Sequence, residues 1–356
     1  MAKKLMKGNE AIAEAAIQAG CRYFFGYPIT PQNDIPEYMS ARLPEVDGVF
    51  LQAESEVAAI NMVLGAGGAG ARVMTSSSGP GISLKQEGIS TLAACEVPAV
   101  IVNIMRGGPG VGNIQASQGD YFQAVKGGGH GDYRLPVFAP ASIQETVDLM
   151  GHAFDLADKH RTPVMILADG VLGQMMEPTD MPENQNPTLP EKPWAATGWK
   201  PDMDKPRAVI NSLYIETEDL AHLTARLQAR YKEITATEQK WESFNTEGAQ
   251  YILYAYGTVA RICKAAIETL AEKGIKVGLV RPITLWPFPY DAVRAAADQA
   301  SVEATLTVEI SAGQLVEDIR LGLEGLKPWH FMGESGSRMP TAEQIVERVL
   351  TLKEGK

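Results

Sequence analysis

Short apolar runs alternate with longer amphipathic stretches through the first half of the chain. The run at residues 99–105 (Ala-Val-Ile-Val-Asn-Ile-Met) has the composition of a strand buried on both faces. The stretch at 142–159 has helical periodicity and begins with Ser142 as a capping residue. About six such units follow one another, which predicts an α/β fold with a doubly wound parallel sheet. The predicted strands are 23–29, 49–52, 73–76, 99–105, 137–139 and 163–168, and the predicted helices are 7–20, 31–43, 55–64, 84–94 and 142–159.

The pattern changes after residue 177. Residues 178–206 contain seven of the 22 prolines, which predicts an extended linker or arm. The charged stretch at 217–241 predicts an amphipathic helix, and strand–helix alternation resumes near residue 250. We therefore predict three segments: a first α/β domain at 1–177, the arm and charged helix at 178–247, and a smaller α/β domain at 248–356.

Composition and charge exclude several classes of partner. The net charge is −11 and basic residues do not cluster, so nucleic-acid binding is not expected. No apolar run approaches the length of a membrane span, and the basic N-terminus lacks the apolar region of a signal peptide. Cys21, Cys95 and Cys263 are isolated and form no C-x-x-C motif. We therefore expect a cytoplasmic protein that holds no iron–sulfur cluster or metal site of its own.

Two glycine-rich motifs lie in different strand–helix contexts. Residues 65–70 match the letters of the dinucleotide fingerprint G-x-G-x-x-G, but a predicted helix precedes them and a predicted strand follows. The fingerprint requires the reverse order, so we exclude a nicotinamide dinucleotide site. Residues 76–81 (Ser-Ser-Ser-Gly-Pro-Gly) follow a strand and precede a helix, where backbone amides can bind an anion. A binding loop and a plain turn both fit this motif.

Three side chains suited to chemistry follow predicted strands. They are Thr30, Glu56 and Arg106, and each comes at or just after the end of an apolar run. The carboxyl ends of parallel strands share one edge of a sheet, where α/β proteins bind their ligands. We therefore expect a hydroxyl, a carboxylate and a guanidinium to meet at that edge.

Each of these residues also has a structural interpretation. Thr30 is either a turn residue or a ligand hydroxyl. Glu56 is either a partly buried acid–base group or a first-turn glutamate, and Glu54 is a rival for the same role. Arg106 either binds a carboxylate or phosphate through its guanidinium, or it is a surface arginine paired with a neighbouring acid. His130, which is flanked by glycines, is either a site residue or an ordinary loop histidine.

Together these runs resemble the alpha-type subunit of the 2-oxoacid:ferredoxin oxidoreductases, which depend on thiamine diphosphate. The resemblance covers nearly the whole chain apart from residues near 180–215. The matching motifs are GYPITP at 26–31, ESEVAA at 54–59, TSSSGPG at 75–81, RGGPG at 106–110, Gln-Gly-Asp at 118–120 and His-Gly-Asp at 130–132. Motifs at 256–261, 285–289 and 309–314 resemble the C-terminal domain of transketolase. The resemblance thus implies a thiamine-diphosphate pyrimidine-binding domain followed by a smaller transketolase C-terminal-like α/β domain.

The same resemblance implies that the cofactor site is shared with other chains. The family grips the diphosphate through Mg²⁺ with a Gly-Asp-Gly…Asn motif, which this sequence lacks; Ala168-Asp-Gly170 is the nearest match. A beta-type partner is therefore expected to bring the diphosphate half, with no metal ligand in this chain. A gamma-type subunit and a ferredoxin-like delta-type subunit are also implied, with [4Fe–4S] clusters in partner subunits only and ferredoxin as electron acceptor.

The resemblance also implies roles for individual residues. It implies that Glu56, rather than Glu54, is the catalytic group that hydrogen-bonds the aminopyrimidine ring of the cofactor. Thr30 and Arg106 match positions that contact the substrate carboxylate and carbonyl. The implied cofactor-binding residues, besides Glu56, are Tyr27, Pro28, Ile29, Ser78 and Gly79.

The activity implied by the resemblance is the coenzyme A-dependent oxidative decarboxylation of a 2-oxoacid to acyl-CoA and CO₂, with reduction of ferredoxin. The sequence after Arg106 is most like the branched-chain type, which acts on 3-methyl-2-oxobutanoate, and 2-oxoglutarate is the alternative substrate. A non-oxidative thiamine-diphosphate decarboxylase or synthase component is an alternative of a different class, and a non-catalytic scaffold is a third. The roles of His130 and of the arm at 178–207 stay open.

Overall fold

The α/β pattern of the sequence folds into two main sheets with helices packed against them. The structure is a computed structural model that describes residues 3–182, 187–204 and 206–355. Its strands are β1 (Lys4–Lys7), β2 (Tyr23–Gly26), β3 (Val49–Gln52), β4 (Val73–Ser77), β5 (Ala99–Met105), β6 (Val137–Phe138), β7 (Pro163–Asp169), β8 (Met176–Thr179), β9 (Trp241–Phe244), β10 (Tyr251–Tyr254), β11 (Val277–Pro282), β12 (Thr284–Trp286), β13 (Ala304–Glu309) and β14 (Trp329–Gly333). Its helices are α1 (Gly8–Gln18), α2 (Asp34–Arg42), α3 (Glu56–Gly68), α4 (Pro80–Ala94), α5 (Tyr121–Val125), α6 (Ile143–His160), α7 (Gly170–Gln174), α8 (Thr217–Thr237), α9 (Gly257–Glu272), α10 (Tyr290–Ala297), α11 (Leu315–Leu323) and α12 (Ala342–Lys353), with a 3₁₀ turn at Leu43–Val46.

The larger sheet brings the ends of four parallel strands together. Its strand order is β12-β6-β7-β5-β4-β2-β3. Ser77 of β4 lies beside Asn103 of β5, and Gly26 of β2 lies beside Gln52 of β3. The loops that follow β2, β3, β4 and β5 therefore share one side of the sheet, which we call the carboxyl edge.

Helices cover both faces of this sheet because its central strand is apolar on both sides. In β5, Val100, Val102 and Ile104 pack in a hydrophobic cluster with residues of α1, α2 and α6. Ile101 and Met105 of the same strand pack in a second cluster with residues of α3 and α4. Successive side chains of a strand point to opposite faces, so the predicted doubly wound arrangement is confirmed.

The smaller sheet has the strand order β14-β13-β10-β11-β9. In this sheet β10, β11, β13 and β14 run parallel, and β9 is antiparallel to β11. Its core is formed by these strands together with α9 and α12. A separate short pair, β1 and β8, is antiparallel and lies outside both sheets.

Strands β9 and β12 depart from the predicted pattern. The helix predicted at 217–241 ends at Thr237, and Trp241–Phe244 instead forms β9 of the smaller sheet, so that end of the prediction was wrong. Strand β12 lies within the predicted second domain but pairs with β6 of the larger sheet. Both strands join their sheets through pairings distant in sequence. The division at 177/178 and 247/248 stays a prediction.

The proline-rich arm packs against its own chain where it is described. Lys192 Nζ lies 2.5 Å from a carboxylate oxygen of Asp158. The Ala196 amide donates to the Gly68 carbonyl at 2.9 Å. Positions 183–186 and 205 of the arm lie outside the described residues. The described part of the arm therefore covers the end of α3 that is remote from Glu56.

Candidate active site

Arg106 brings a guanidinium to the carboxyl edge. It follows β5 and is 9% exposed. Its Nη1 donates to the Thr30 carbonyl at 2.9 Å, and its Nη2 donates to the Val111 carbonyl at 2.8 Å. Its Nε is buried and has no hydrogen-bond partner among the described residues. Two backbone carbonyls therefore fix the guanidinium while one buried donor is left for an anion.

Thr30 reaches Arg106 through its backbone rather than through its hydroxyl. The Thr30 hydroxyl accepts a hydrogen bond from Asn33 Nδ2 at 3.4 Å. The residue lines a neighbouring cavity, together with Pro31 and Gly170. The structure thus brings Thr30 and Arg106 into contact, but the role of the threonine hydroxyl toward substrate stays a prediction.

Glu56 is the buried carboxylate of the carboxyl edge. It is the first residue of α3, whose cap Ser55 accepts a hydrogen bond from the Ala58 amide at 3.2 Å. Glu56 is 6% exposed, whereas Glu54 lies in solvent. A Cβ added to Gly81 of α4 would lie 2.7 Å from Glu56 Oε1, so glycine is needed for this close approach. No hydrogen bond to the Glu56 carboxylate occurs among the described residues, so it can accept one from a ligand.

The loop between β4 and α4 adds hydroxyls beside these groups. Thr75, Ser77 and Ser78 are fully buried, and their hydroxyls have no hydrogen-bond partner within the described chain. Gly79 caps α4 with a φ of +41°, and a Cβ there would lie 3.5 Å from Arg106 Cγ. Buried hydroxyls in native proteins are nearly always paired, so this loop has unused capacity for a polar ligand or water.

A cavity of about 730 Å³ lies next to Arg106, between the carboxyl edge and the smaller sheet. Gly79, Asp120 and Ile310 are among its lining residues. Asn103 Nδ2 donates to Asp120 Oδ2 at 3.0 Å. Burial raises the pKa of Asp120, although Asn103, the Gly79 amide and the Arg106 charge act in the opposite direction. Among the described lining residues, Arg106 is the only cation.

The remaining predicted site residues are exposed or half-buried and, within the described chain, are not joined to Arg106 or Glu56. Tyr27 and Pro28 follow β2 and are exposed, and Ile29 is half-buried. His130 is exposed and has no hydrogen bond among the described residues, so the structure does not join it to Arg106 or Glu56. The assignments of Tyr27, Pro28 and Ile29 to the cofactor, like those of Ser78 and Gly79, stay predictions.

Lys85 is the residue of this region that the sequence reasoning missed. It lies on α4, is fully buried, and its Nζ is 3.5 Å from the Glu56 carbonyl oxygen. Burial lowers the pKa of Lys85 to about 8, and the charge of Glu56 opposes that shift. The available signal was the spacing Gly81, Lys85, Gly88, which places a lysine between two glycines on one helix face.

The described ranges contain neither a metal-binding cluster nor a membrane-spanning helix. No group of three or more His, Cys, Asp or Glu side chains there is placed to hold a metal ion. No helix in those ranges combines the length and apolar character needed to cross a bilayer. Cys21, Cys95 and Cys263 are buried and form no disulfide.

Two family profiles match nearly the whole chain. One, described as pyruvate flavodoxin/ferredoxin oxidoreductase, thiamine diphosphate-binding, matches residues 14–243. The other, described as pyruvate:ferredoxin oxidoreductase core domain II, matches residues 249–345. The thiamine-diphosphate-binding profile therefore spans the carboxyl edge with Glu56 and Arg106.

Two curated relatives align along their full lengths. Ketoisovalerate oxidoreductase subunit VorB of Methanothermobacter thermautotrophicus is 47% identical over 98% of this chain and 97% of its own. The 2-oxoglutarate synthase subunit KorA of Methanocaldococcus jannaschii is 34% identical over 98% of this chain and 100% of its own. Both relatives are named as subunits of larger enzymes.

Solved structures extend the likeness to the fold. A 2-oxoglutarate:ferredoxin oxidoreductase from Magnetococcus marinus, with 2-oxoglutarate, coenzyme A and succinyl-CoA bound, matches with a TM-score of 0.86 at 26% identity. The match covers 98% of this chain but only 65% of that one, so this chain spans less than two thirds of that protein. A split-gene transketolase matches with a TM-score of 0.60 at 15% identity, which is a likeness of fold alone. The predicted fold class, including its transketolase-like character, is confirmed. The chain belongs to the 2-oxoacid:ferredoxin oxidoreductase family.

Proposed function

We propose that this chain is the pyrimidine-side subunit of an enzyme that oxidatively decarboxylates 3-methyl-2-oxobutanoate to its acyl-CoA and CO₂. Electrons pass to ferredoxin, and coenzyme A is the acyl acceptor. The observation that carries this proposal is the 47% identity to a ketoisovalerate oxidoreductase subunit over 97% of that subunit's length. Ketoisovalerate and 3-methyl-2-oxobutanoate are the same compound.

The chemistry of the carboxyl edge suits an aminopyrimidine ring. Thiamine diphosphate, when bound, supplies the carbon nucleophile and electron sink that decarboxylation of a 2-oxoacid requires. Glu56 offers a buried carboxylate with no hydrogen bond among the described residues. A carboxylate in that state can accept a hydrogen bond from a ring nitrogen and hold its proton in place. The unpaired hydroxyls of Ser77 and Ser78 can satisfy further polar atoms of such a ligand.

Arg106 orients the 2-oxoacid in this proposal. Two backbone carbonyls hold its guanidinium, so little side-chain entropy is lost when a carboxylate binds. Because the residue is 9% exposed, an ionic hydrogen bond to it is screened less than one at the surface. Substrate binding at Arg106 would place the reacting carbonyl in the cavity that Asp120 and Gly79 also line.

The same cavity favours a substrate with a single carboxylate. Arg106 is the one cation among its described lining residues, and Asp120 adds a carboxyl group. A second, distal carboxylate such as that of 2-oxoglutarate would lie near like charge without a cation to pair with. The 2-oxoglutarate alternative is nevertheless supported by the 34% identity to a 2-oxoglutarate synthase subunit.

The exposed apolar rim supports the proposal that partner subunits complete the site. Several large apolar side chains lie in solvent around the carboxyl edge, where a partner subunit could cover them. They are Tyr27, Leu51, Val57, Val111 and Ile114, which are between 37% and 78% exposed. We place there a beta-type subunit that carries the diphosphate-binding half with Mg²⁺.

The remaining components of the proposal follow from the cysteine content. The three cysteines of this chain are unpaired and buried, so electron transfer requires clusters elsewhere. We assign [4Fe–4S] clusters to partner subunits, with a gamma-type and a ferredoxin-like delta-type subunit completing the assembly. Free thiols are typical of a reducing cytoplasm, where we place the enzyme.

The test is 2-oxoacid-dependent reduction of a low-potential dye by the native complex, with coenzyme A and thiamine diphosphate. We expect kcat/KM for 3-methyl-2-oxobutanoate to exceed that for 2-oxoglutarate by tenfold or more, because only the latter has a second carboxylate. A preference for 2-oxoglutarate would overturn the substrate class but keep the reaction. Release of CO₂ without dye reduction, from a complex with intact clusters, would instead support the non-oxidative alternative.

A further inference from the structure

Helix α4 lies close to helix α3 and to Glu56, the first residue of α3. A Cβ added to Gly81 would lie 2.1 Å from Ser77 Oγ and 2.7 Å from Glu56 Oε1. A Cβ added to Gly88 would lie 2.4 Å from Ile60 Cγ2. Gly81 and Gly88 are seven residues apart, so they share one face of α4. This face lies against Glu56 at Gly81 and against Ile60 of α3 at Gly88.

Lys85 lies on this same face, between the two glycines. Its position follows Gly81 by four residues and precedes Gly88 by three, so its side chain is enclosed between the helices. Its accessible surface is 0%, and its single hydrogen bond among the described residues is the 3.5 Å contact with the Glu56 carbonyl. A lysine is almost never fully buried without a partner, so the burial of this ammonium requires an explanation.

The charge that acts on Lys85 is that of Glu56. Burial lowers the pKa of Lys85 to about 8, and the charge of Glu56 opposes this shift. Strand β4 (Val73–Ser77), which ends beside Gly81, carries no titratable side chain. The neighbouring loop places Tyr133 against Gln86 rather than against Lys85. Arg106 and Asp120 lie on the cavity side of Gly79.

We propose that Lys85 is a positioning residue, whose buried ammonium holds the start of α3 so that the Glu56 carboxylate stays in place to receive a hydrogen bond from the cofactor. This inference rests on the proposed function of Glu56. The ammonium donates to the Glu56 carbonyl and attracts the carboxylate of the same residue. Close packing at Gly81 and Gly88 excludes water from around the ammonium, so the attraction is weakly screened. Lys85 touches neither substrate nor reacting atoms in this scheme and acts through Glu56.

The test compares the assembled complex with Lys85→Met, which keeps the length and removes the charge. Lys232→Met, at an exposed lysine of α8, is the matched control. Without the ammonium, the Glu56 carboxylate is held less firmly toward the cofactor, so we expect the KM of the complex for thiamine diphosphate to rise about tenfold. The kcat at saturating cofactor should stay within a few-fold of the parent, because Lys85 does not touch the reacting atoms.

A second readout does not depend on activity. The thermal midpoint is measured for the parent complex, Lys85→Met, Glu56→Gln and the double variant. Lys85→Met removes the buried ammonium but also leaves the buried Glu56 carboxylate without it, so its effect on Tm depends on whether Glu56 is present. In the Glu56→Gln background, where the lysine has lost its partner, it should raise Tm by at least about 2 °C more than in the parent.

The outcomes separate the two proposals. An unchanged KM for thiamine diphosphate, together with equal Tm effects of Lys85→Met in both backgrounds, would overturn the role of Lys85 even if Glu56→Gln is inactive. Full activity of Glu56→Gln would overturn the proposed role of Glu56 itself. If Lys85→Met fails to assemble, Lys85→Gln gives the same two readouts with a polar side chain that can still donate to the Glu56 carbonyl. If neither Lys85→Met nor Lys85→Gln assembles normally, Lys85 is a structural residue and the inference is overturned.

Discussion

At the residue scale, the proposed mechanism depends on Glu56 and not on its neighbour. The change Glu56→Gln keeps size and hydrogen-bonding capacity but removes the negative charge. Loss of a general acid–base group lowers rates by about 10²–10⁴-fold, so we expect kcat of the assembled complex to fall by about 100-fold or more. Glu54→Gln is the control, since Glu54 is exposed and two residues away. The measurement is dye reduction at saturating 2-oxoacid, and equal activities of the two variants would contradict the assignment.

The alternation of strands and helices made the positions of two site residues predictable. Glu56 and Arg106 follow parallel strands in sequence, and such strands end at one edge, so their arrival there could be foreseen. The sequence could not tell that Thr30 would meet Arg106 through its carbonyl, because side-chain direction in a loop depends on packing. Lys85 was missed for a different reason: a lysine on an amphipathic helix is ordinarily a solvated residue, and only the tertiary approach of α3 buries it.

At the element scale, the approach of α4 to the start of α3 requires glycine at residue 81. A Cβ in Gly81→Ala would lie 2.1 Å from Ser77 Oγ and 2.7 Å from Glu56 Oε1. Those atoms cannot yield without moving the carboxylate, so we expect at least a tenfold loss of kcat, with Tm lowered by a few degrees. Gly65→Ala is the control, because that glycine of α3 is exposed and a Cβ there meets nothing within 4 Å. It should stabilise the helix by up to ~1 kcal/mol, and retained activity in both variants would contradict the argument.

Local signals predicted the elements better than they predicted their connections. Strands 49–52 and 99–105 formed at the predicted residues because each is a compact, mostly apolar run that contains β-branched or aromatic residues. Helix α4 begins at Pro80 rather than at residue 84, since proline suits the first turn and Gly79 provides the cap. Strand β12 was not predicted, because a three-residue strand is defined by its partner in the larger sheet rather than by its own sequence.

At the scale of the whole molecule, a polar junction joins the two main sheets. Gln118 Nε2 donates to the Tyr256 carbonyl at 3.0 Å, and Gln118 Oε1 accepts from the Ile310 amide at 3.0 Å. Gln118 belongs to the loop after Arg106, whereas its partners belong to the smaller sheet. In the sequence, Gln118 stood out only as part of the Gln-Gly-Asp motif shared with the family. Its contacts could not be predicted, because contacts across more than a hundred residues have no local signal. The cavity beside Arg106 exists only because these parts meet.

Asp318 is the buried charge of the same junction. It is 1% exposed and accepts hydrogen bonds from Tyr121 at 2.7 Å and from Tyr290 at 2.6 Å, with Lys126 Nζ at 2.6 Å. Tyr121 and Lys126 come from the segment between the carboxyl edge and β6, whereas Asp318 lies on α11. Burial, followed by the charge of Asp318, raises the pKa of Tyr121 well above its ordinary value. Because the folded state favours the neutral phenol, this stabilisation is present below about pH 10 and is lost at higher pH.

The change Asp318→Asn tests whether this junction holds the two sheets together. The amide keeps the size of the carboxylate but replaces one acceptor oxygen with a donor that faces two hydroxyls and an ammonium. Hydrogen bonds to a charged group contribute about 1.5–3 kcal/mol each, so we expect the Tm of the assembled complex to fall by several degrees at pH 7. Asp291→Asn, at an exposed carboxylate of the adjacent α10, is the control and should change Tm by less than a degree or two. Because the phenols lose their anionic acceptor, the difference between parent and Asp318→Asn should shrink as the pH is raised above about 10. Equal Tm values for the two asparagine variants at pH 7 would show that apolar packing, and not this charge cluster, joins the sheets around the site.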